Sequence, residues 1–207
     1  MSKAMKTIFS IVLGAVFAFS LAACDSSNKE SSTNVDSGRA TDAETSDKAA
    51  DNSIVVYFSR TNNTERIAEY IIDLTVSDKY EIEAKIPYTD DDIKYYTDCR
   101  ADREQNDPTA RPEIAGEPID LSPYDVIYLG YPIWHGQAPK IMYTFVESYD
   151  LADKTIVPFC TSASSPIGSS ATNLAESATN ATWLEGKRFS ASSTKDEVKT
   201  WLDSLNY

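Results

Sequence analysis

The chain has 207 residues, of which 42% are apolar and 25% charged, and its formal net charge is −13 at pH 7. This acidity argues against binding to nucleic acid, whose phosphates need a basic surface, and against electrostatic attachment to anionic lipid. An acidic surface suits docking to a basic partner, although solubility alone is the commoner explanation.

The first 23 residues have the three parts of a secretory signal peptide. Lys3 and Lys6 make the start basic, an apolar stretch follows, and small residues precede Cys24. The apolar stretch is shorter than the roughly 20 residues that a membrane-spanning helix needs. The string Leu21-Ala22-Ala23-Cys24 resembles a bacterial lipobox, which implies that a lipid on Cys24 anchors the protein to the extracytoplasmic face of a bacterial cell membrane. Ordinary secretion is the alternative.

Residues 24–52 are predicted to be the lipidated cysteine and a flexible tether. Ser, Thr, Asn, Asp and Ala dominate this segment, and Val35 is its only large apolar residue. Such a segment buries too little apolar surface to offset the entropy of ordering. Residues 53–207 then form one domain of 155 residues with 14 basic and 25 acidic side chains, a net charge of −11.

Strand and helix patterns alternate along this domain. β-branched and aromatic runs predict strands, and apolar residues at helical spacing predict helices. The strands are expected at 53–58, 80–86, 125–130, 155–160 and 187–190, and the helices at 63–75, 139–149, 168–178 and 195–205. A short helix is also expected within 91–103 of the otherwise irregular, polar segment 88–118. This alternation predicts a doubly wound α/β sheet, whose ligands bind beyond the carboxyl ends of the strands.

The loop after Phe58 is rich in groups that bind an anion. Ser59, Thr61 and Thr64 supply hydroxyls, and the following helix supplies unpaired backbone amides at its N-terminus. The loop lacks the Gly-Lys-Ser/Thr ending of a nucleoside-triphosphate loop and the Gly-x-Gly-x-x-Gly pattern of dinucleotide folds. It is therefore predicted to hold a phosphate monoester, with simple helix capping as the alternative.

Three loops in register resemble those of the flavodoxin-like family. Ser59-Arg60-Thr61-Asn62-Asn63-Thr64 resembles its phosphate loop, usually Ser/Thr-x-Thr-Gly-Asn-Thr. Tyr131-Pro132-Ile133-Trp134-His135-Gly136 resembles the flavin loop of a bacterial branch, often Tyr-Pro-Ile-Trp-Trp/Tyr-Gly. Phe159-Cys160-Thr161-Ser162-Ala163-Ser164-Ser165 resembles the Phe-x-Thr-Ser-Gly-Gly/Ser-Ser of the same branch. Asn62 and Ala163 replace glycines, and asparagine tolerates a left-handed backbone better than most residues.

The resemblance implies a five-stranded parallel sheet in the order 2-1-3-4-5 that holds one FMN. In this pattern the first loop binds the phosphate, Tyr131 and Trp134 flank the ring, and amides of the third loop face its pyrimidine edge. The residues implied in FMN binding are Ser59, Thr61, Asn62, Asn63, Thr64, Tyr131, Pro132, Ile133, Trp134, His135, Gly136, Thr161, Ser162, Ala163, Ser164 and Ser165. No metal site is predicted.

His135 is the only histidine of the chain. Its imidazole can donate a proton to the flavin or to a substrate, and could then make the redox potential depend on pH near neutrality. The resembling family often has an aromatic residue at this position, so filling space at the rim of the site is the alternative. Cys99 and Cys160 could pair in an oxidising compartment, but the apolar strand around Cys160 favours a buried thiol.

Three functions follow from these patterns. The first is an FMN-binding electron-transfer protein with an unknown redox partner. The second is an NAD(P)H-dependent FMN reductase that acts on quinones or other small acceptors. The third is a lipoprotein binding module that keeps the fold without the cofactor, which the departures at Asn62 and Ala163 leave open.

Overall fold

The computed structural model describes residues 52–95 and 98–207. The predicted signal peptide, Cys24 and all of the predicted tether except Asn52 lie outside the described residues. Within the described ranges, no helix has the length and apolar character needed to cross a membrane.

A parallel sheet forms the centre of the domain, with helices on both faces. Its strands are β1 Ser53–Tyr57, β2 Asp78–Glu81, β3 Val126–Pro132, β4 Thr155–Thr161, β5 Thr182–Trp183 and β6 Lys187–Phe189. The order is β2-β1-β3-β4-β5, and β6 also pairs with β4. The predicted order is confirmed, but the fifth position holds two short strands, of which the sequence predicted only the second.

The division of the fifth position follows from Pro158 in the middle of β4. The Leu184 N–H donates to the Ile156 carbonyl, so every second residue of β4 turns its backbone groups toward this edge. Pro158 is the next of these, and it has no N–H to offer. The pairs Ile156–Trp183 and Phe159–Lys187 enclose two residues on β4 but three on the edge, so the ladder is interrupted there.

Five helices and one 3₁₀ turn complete the described part of the fold. They are α1 Asn63–Thr75, a 3₁₀ turn at Asp91–Ile93, α2 Arg100–Asn106, α3 Lys140–Ser148, α4 Ser170–Ala175 and α5 Lys195–Asp203. Helices α1 and α5 cover one face of the sheet, where Ile67, Ile71 and Trp201 pack on alternate strand residues. Helices α3 and α4 cover the other face through a second set of buried side chains, and the central strands are buried on both faces as predicted.

The largest error in the predicted elements concerns the second strand. It was expected at 80–86 but ends at Glu81. Beyond that point the chain leaves the sheet and runs against a distant segment, with the Lys85 N–H bonded to the Glu113 carbonyl and the Ala115 N–H to the Glu83 carbonyl. The alternating pattern thus marked an extended segment, although its partner is a loop and not β1. The helix expected within 91–103 is a 3₁₀ turn followed by α2.

Both cysteines of the domain are buried free thiols. The buried-thiol prediction for Cys160 is therefore confirmed. Burial raises the pKa of the Cys160 thiol to about 12, which keeps it protonated and unreactive at neutral pH.

A strained valine ends α1. Val76 has φ 55° and ψ 33°, and the residue is 93% exposed. A left-handed backbone costs an L-residue about 1–2 kcal/mol, and a β-branched side chain is among the least suited to it. We expect Val76→Gly to raise the free energy of unfolding by about 1 kcal/mol, because no packing is lost and glycine adopts this backbone freely. Urea denaturation measures the change.

Val76→Ala is the matched control for that substitution. It removes the same exposed methyl groups but keeps the Cβ atom that causes the strain, so its stability is expected to stay within about 0.5 kcal/mol of the wild type. A Val76→Gly protein that is less stable than Val76→Ala would contradict the argument from backbone strain.

Candidate functional site

The three loops singled out in the sequence lie together at the carboxyl edge of the sheet. Strands β1, β3 and β4 are neighbours, and hydrogen bonds continue past their ends from the Phe58 N–H to Gly130 and from the Ile133 N–H to Thr161. The Thr64 and Thr161 hydroxyls are 2.8 Å apart, and both residues are buried. A direct hydrogen bond therefore joins the first loop to the third.

The first loop turns into α1 through a left-handed residue. Asn62 has φ 59°, as expected of an asparagine that replaces glycine, and its side chain makes no capping hydrogen bond. The side-chain amide of Asn63 donates instead to the Thr61 hydroxyl at 3.1 Å. Simple side-chain capping by Asn62 does not account for this loop, and no described residue accepts a hydrogen bond from the first-turn backbone amides of α1.

Ser59 has a buried hydroxyl that lacks a hydrogen-bond partner among the described residues. Nearly all buried polar groups in folded proteins are paired, so an unpaired one calls for an explanation. This hydroxyl lies in the same loop as the unpaired first-turn amides. Together they are the donors that an anion at this end of α1 would accept.

The middle loop is a tight two-residue turn. Trp134 and Gln137 exchange both backbone hydrogen bonds, at 2.9 and 3.0 Å. His135 and Gly136 between them have φ values of 48° and 81°, the pattern of a type I′ turn. The Gln137 side chain accepts from Asn173 of α4 at 2.8 Å, so the turn is fixed to the helix beneath it.

An aromatic cluster holds Trp134 in one orientation. Its ring meets Phe58 edge-on with the ring centres 5.4 Å apart, and Tyr88 edge-on at 5.0 Å. Tyr88 is itself fixed by a 2.6 Å hydrogen bond to Glu104 and by the Arg100 guanidinium 3.9 Å from its ring centre. Burial and the Glu104 carboxylate raise the pKa of Tyr88. The phenol therefore stays protonated, and the indole has a rigid support.

His135 lies against the segment that precedes and includes α2. Its Nδ1 atom is 3.5 Å from the Asp102 carboxylate, and its ring centre is 5.3 Å from that of Tyr95. Gln105 of the same helix donates to the Ala138 carbonyl at 2.9 Å. Sequence reasoning did not single out Asp102 or Tyr95, because their segment reads as polar and irregular and has no local motif.

Tyr131 does not occupy the position expected of it. It belongs to β3, its side chain is fully buried in the core, and its hydroxyl lies 3.0 Å from that of Ser170. The pleat of the strand directs this ring into the sheet face covered by α3 and α4. The expectation that Tyr131 stacks on a ligand in the loops is therefore wrong. Pro132 ends the strand, and Ile133 packs partly against the same core.

Arg188 of β6 holds the third loop. Its Nη2 atom donates to the Ser162 and Ala163 carbonyls, each at 2.7 Å, and its Nε atom to the Ser162 hydroxyl at 3.0 Å. The Ser162 hydroxyl also donates to the Ser165 carbonyl. Ala163 and Ser164 are exposed at the tip. Nothing local in the sequence marks Arg188 for this position, because only the pairing of β6 with β4 brings it to the loop.

The sequence profile of the flavodoxin family matches residues 52–205, about three-quarters of the chain. This chain belongs to the flavodoxin family. No match was found among curated proteins.

Solved structures agree with this assignment. A proposed flavoprotein from Bacteroides eggerthii is 38% identical over 73% of this chain and 96% of its own, with a TM-score of 0.69. A proposed flavoprotein from Bacteroides uniformis is 34% identical over 74% and 98%, with a TM-score of 0.71. A flavoprotein from Lactobacillus acidophilus, solved in complex with FMN, is 21% identical over 73% and 98%, with a TM-score of 0.55, and shares the fold.

Proposed function

We propose that this flavodoxin domain binds one FMN on its three loops and carries electrons, anchored through Cys24 to the outer face of a bacterial membrane. The observation that carries the proposal is the buried Ser59 hydroxyl, which has no hydrogen-bond partner among the described residues, in the loop that leads into the first turn of α1. FMN would supply the redox chemistry, since it accepts and releases electrons one or two at a time.

The phosphate would bind to the first loop. Asn62 supplies the left-handed backbone that turns the amides of α1 toward one point. Thr64 contributes a hydroxyl whose proton is available when Thr161 donates in the hydrogen bond between them. These donors are neutral, so a dianionic phosphate would be held by hydrogen bonds and the helix dipole.

The ring would lie beside Trp134, whose indole is the largest partly exposed aromatic side chain of the three loops. Flat aromatic surfaces stack well on one another, and a rigidly held indole loses little entropy on binding. The exposed tip of the third loop, at Ala163 and Ser164, would face the pyrimidine edge of the ring.

Electron transfer is supported by the charge of the domain. Fourteen basic against 25 acidic residues leave a surface that attracts a basic redox protein and speeds its encounter. The lipobox-like string that ends at Cys24 supports the membrane anchor. His135 beside Asp102 is the feature that keeps a reductase acting on a small acceptor as the second candidate, because this pair could move a proton.

We expect the purified protein to bind FMN at least about 100-fold more tightly than riboflavin, because hydrogen bonds to a charged phosphate contribute about 1.5–3 kcal/mol each. Fluorescence titration of each flavin into the apoprotein measures both dissociation constants. Yellow protein supports the proposal. A colourless protein that takes up no added FMN would overturn it in favour of the binding module.

Stopped-flow mixing of the FMN-loaded protein with NADPH separates the carrier from the reductase. A carrier is expected to be reduced negligibly by NADPH but rapidly by a small chemical reductant such as dithionite. Reduction by NADPH within the time of a catalytic turnover would favour the reductase.

A further inference from the structure

Arg188 makes three hydrogen bonds to the third loop, and the proposed positions of the FMN phosphate and ring do not explain them. One guanidinium nitrogen bonds two consecutive carbonyls, those of Ser162 and Ala163, and a second nitrogen bonds the Ser162 hydroxyl. The residue is half-buried on β6, the edge strand beside β4. Two main-chain carbonyls are thus directed at one positive charge.

The amides that follow those carbonyls must point the other way. In a trans peptide the C=O of one residue and the N–H of the next are antiparallel. The Ala163 and Ser164 N–H groups are therefore directed away from Arg188. The third loop adjoins the middle loop, because the Ile133 N–H donates to the Thr161 carbonyl at 2.9 Å. Across the described ranges, neither N–H has a hydrogen-bond partner.

We propose that Arg188 positions and polarises these two peptides so that the N–H groups of Ala163 and Ser164 bind the electron-rich pyrimidine edge of a flavin more strongly when it is reduced than when it is oxidised. This inference rests on the proposed FMN site. Reduction by two electrons with uptake of one proton leaves one additional negative charge, which resides on N1 and the neighbouring carbonyl of the ring. Donors aimed at that edge favour the charged form.

The charge of Arg188 also reaches beyond the hydrogen bonds. The positive charge of Arg188 lowers the pKa of the buried Cys160 thiol, although burial raises that pKa by more. The charge therefore acts on groups at the end of β4. The rest of the domain carries an excess of negative charge that opposes further negative charge on a ligand. Arg188 places a positive charge at the third loop of this otherwise acidic domain.

The test compares Arg188→Gln with Lys187→Gln, which removes the same charge from the adjacent, exposed residue of β6. Each protein is loaded with FMN and titrated with dithionite as the electron donor, and the midpoint potential is read from absorbance. We expect Arg188→Gln to lose at least tenfold more affinity for reduced than for oxidised FMN. That ratio lowers the two-electron midpoint potential by about 30 mV. Lys187→Gln should shift it by less than a third of that amount.

Each outcome decides the inference. A wild-type protein that binds no FMN overturns the proposed function and this inference together. A wild type that binds FMN, with an unchanged potential in Arg188→Gln or an equal shift in Lys187→Gln, overturns the role of Arg188 alone. If Arg188→Gln does not fold, Arg188→Lys decides. Its single ammonium cannot span all three acceptors, so an intermediate shift is expected, and a wild-type potential contradicts the proposal.

Discussion

Ser59→Ala is expected to weaken FMN binding roughly 10- to 150-fold without lowering the stability of the protein. A hydrogen bond to a charged group contributes about 1.5–3 kcal/mol, and 1.4 kcal/mol corresponds to a factor of ten. In the ligand-free protein the Ser59 hydroxyl is buried and has no described partner. Removing it leaves no other polar group unpaired, so the free energy of unfolding should stay constant or rise by up to about 1 kcal/mol.

Two measurements test this prediction, one of flavin affinity and one of protein stability. Titration with FMN and with riboflavin should show a loss for FMN only, because riboflavin lacks the phosphate. Urea denaturation of the apoprotein gives the stability. Ser148→Ala, at the C-terminal end of α3, is the matched control and should change neither affinity. An equal loss for both flavins, or a destabilised apoprotein, would show that Ser59 has a structural role and does not bind phosphate.

Gly130→Ala is expected to destabilise the protein by about 3 kcal/mol, which lowers the melting temperature by roughly 6–12 °C for a domain of this size. A Cβ atom on Gly130 would lie 2.2 Å from Cζ of Phe159, far inside van der Waals contact. The two residues are register partners in the centre of the sheet, and Phe159 is fully buried beside Trp201. A fully buried ring in a close-packed core can move aside only by displacing its neighbours.

A second substitution can relieve this clash. Phe159→Leu removes the three ring atoms that a Cβ on Gly130 would meet. We expect the double variant to be more stable than Gly130→Ala alone, with an interaction energy of at least about 1 kcal/mol in thermal or urea unfolding. Strictly additive losses would place the cause of the Gly130→Ala defect elsewhere, for instance in backbone conformation.

The local sequence pattern was sufficient to predict the bounds of helices and strands that pack into the core. The helix Asn63–Thr75 was predicted to the residue, and the strand Thr155–Thr161 to within one residue. Apolar side chains recur at helical spacing in the first and form a nearly continuous apolar run in the second. These side chains pack into the core on the faces of the sheet. The edge of the sheet was predicted less well, because β5 has only two residues and its boundaries depend on the missing N–H of Pro158 in the neighbouring strand.

The candidate site was predicted as a set of loops but not in its supporting contacts. The polar first loop and the Trp134 turn lie at the carboxyl edge of the sheet, the edge that the doubly wound topology predicts for ligands. Tyr131 was assigned to the loop because the strand was predicted to end at residue 130. The strand continues to Pro132, so Tyr131 is a buried strand residue. Arg188 and Asp102 were missed because each acts on a loop distant in the chain, 25–26 residues from its partners for Arg188.

The sequence by itself determined the alternation of strands and helices, the order in which the polar loops follow the strands, and the acidic charge of the domain. These depend on neighbouring residues, whose periodicity and composition are visible without the fold. Only the tertiary structure decided that Thr64 bonds Thr161 across 97 residues, that Arg188 directs two carbonyls, and that Tyr131 is buried. Such contacts depend on which strands pair and in which register, and no local pattern specifies that.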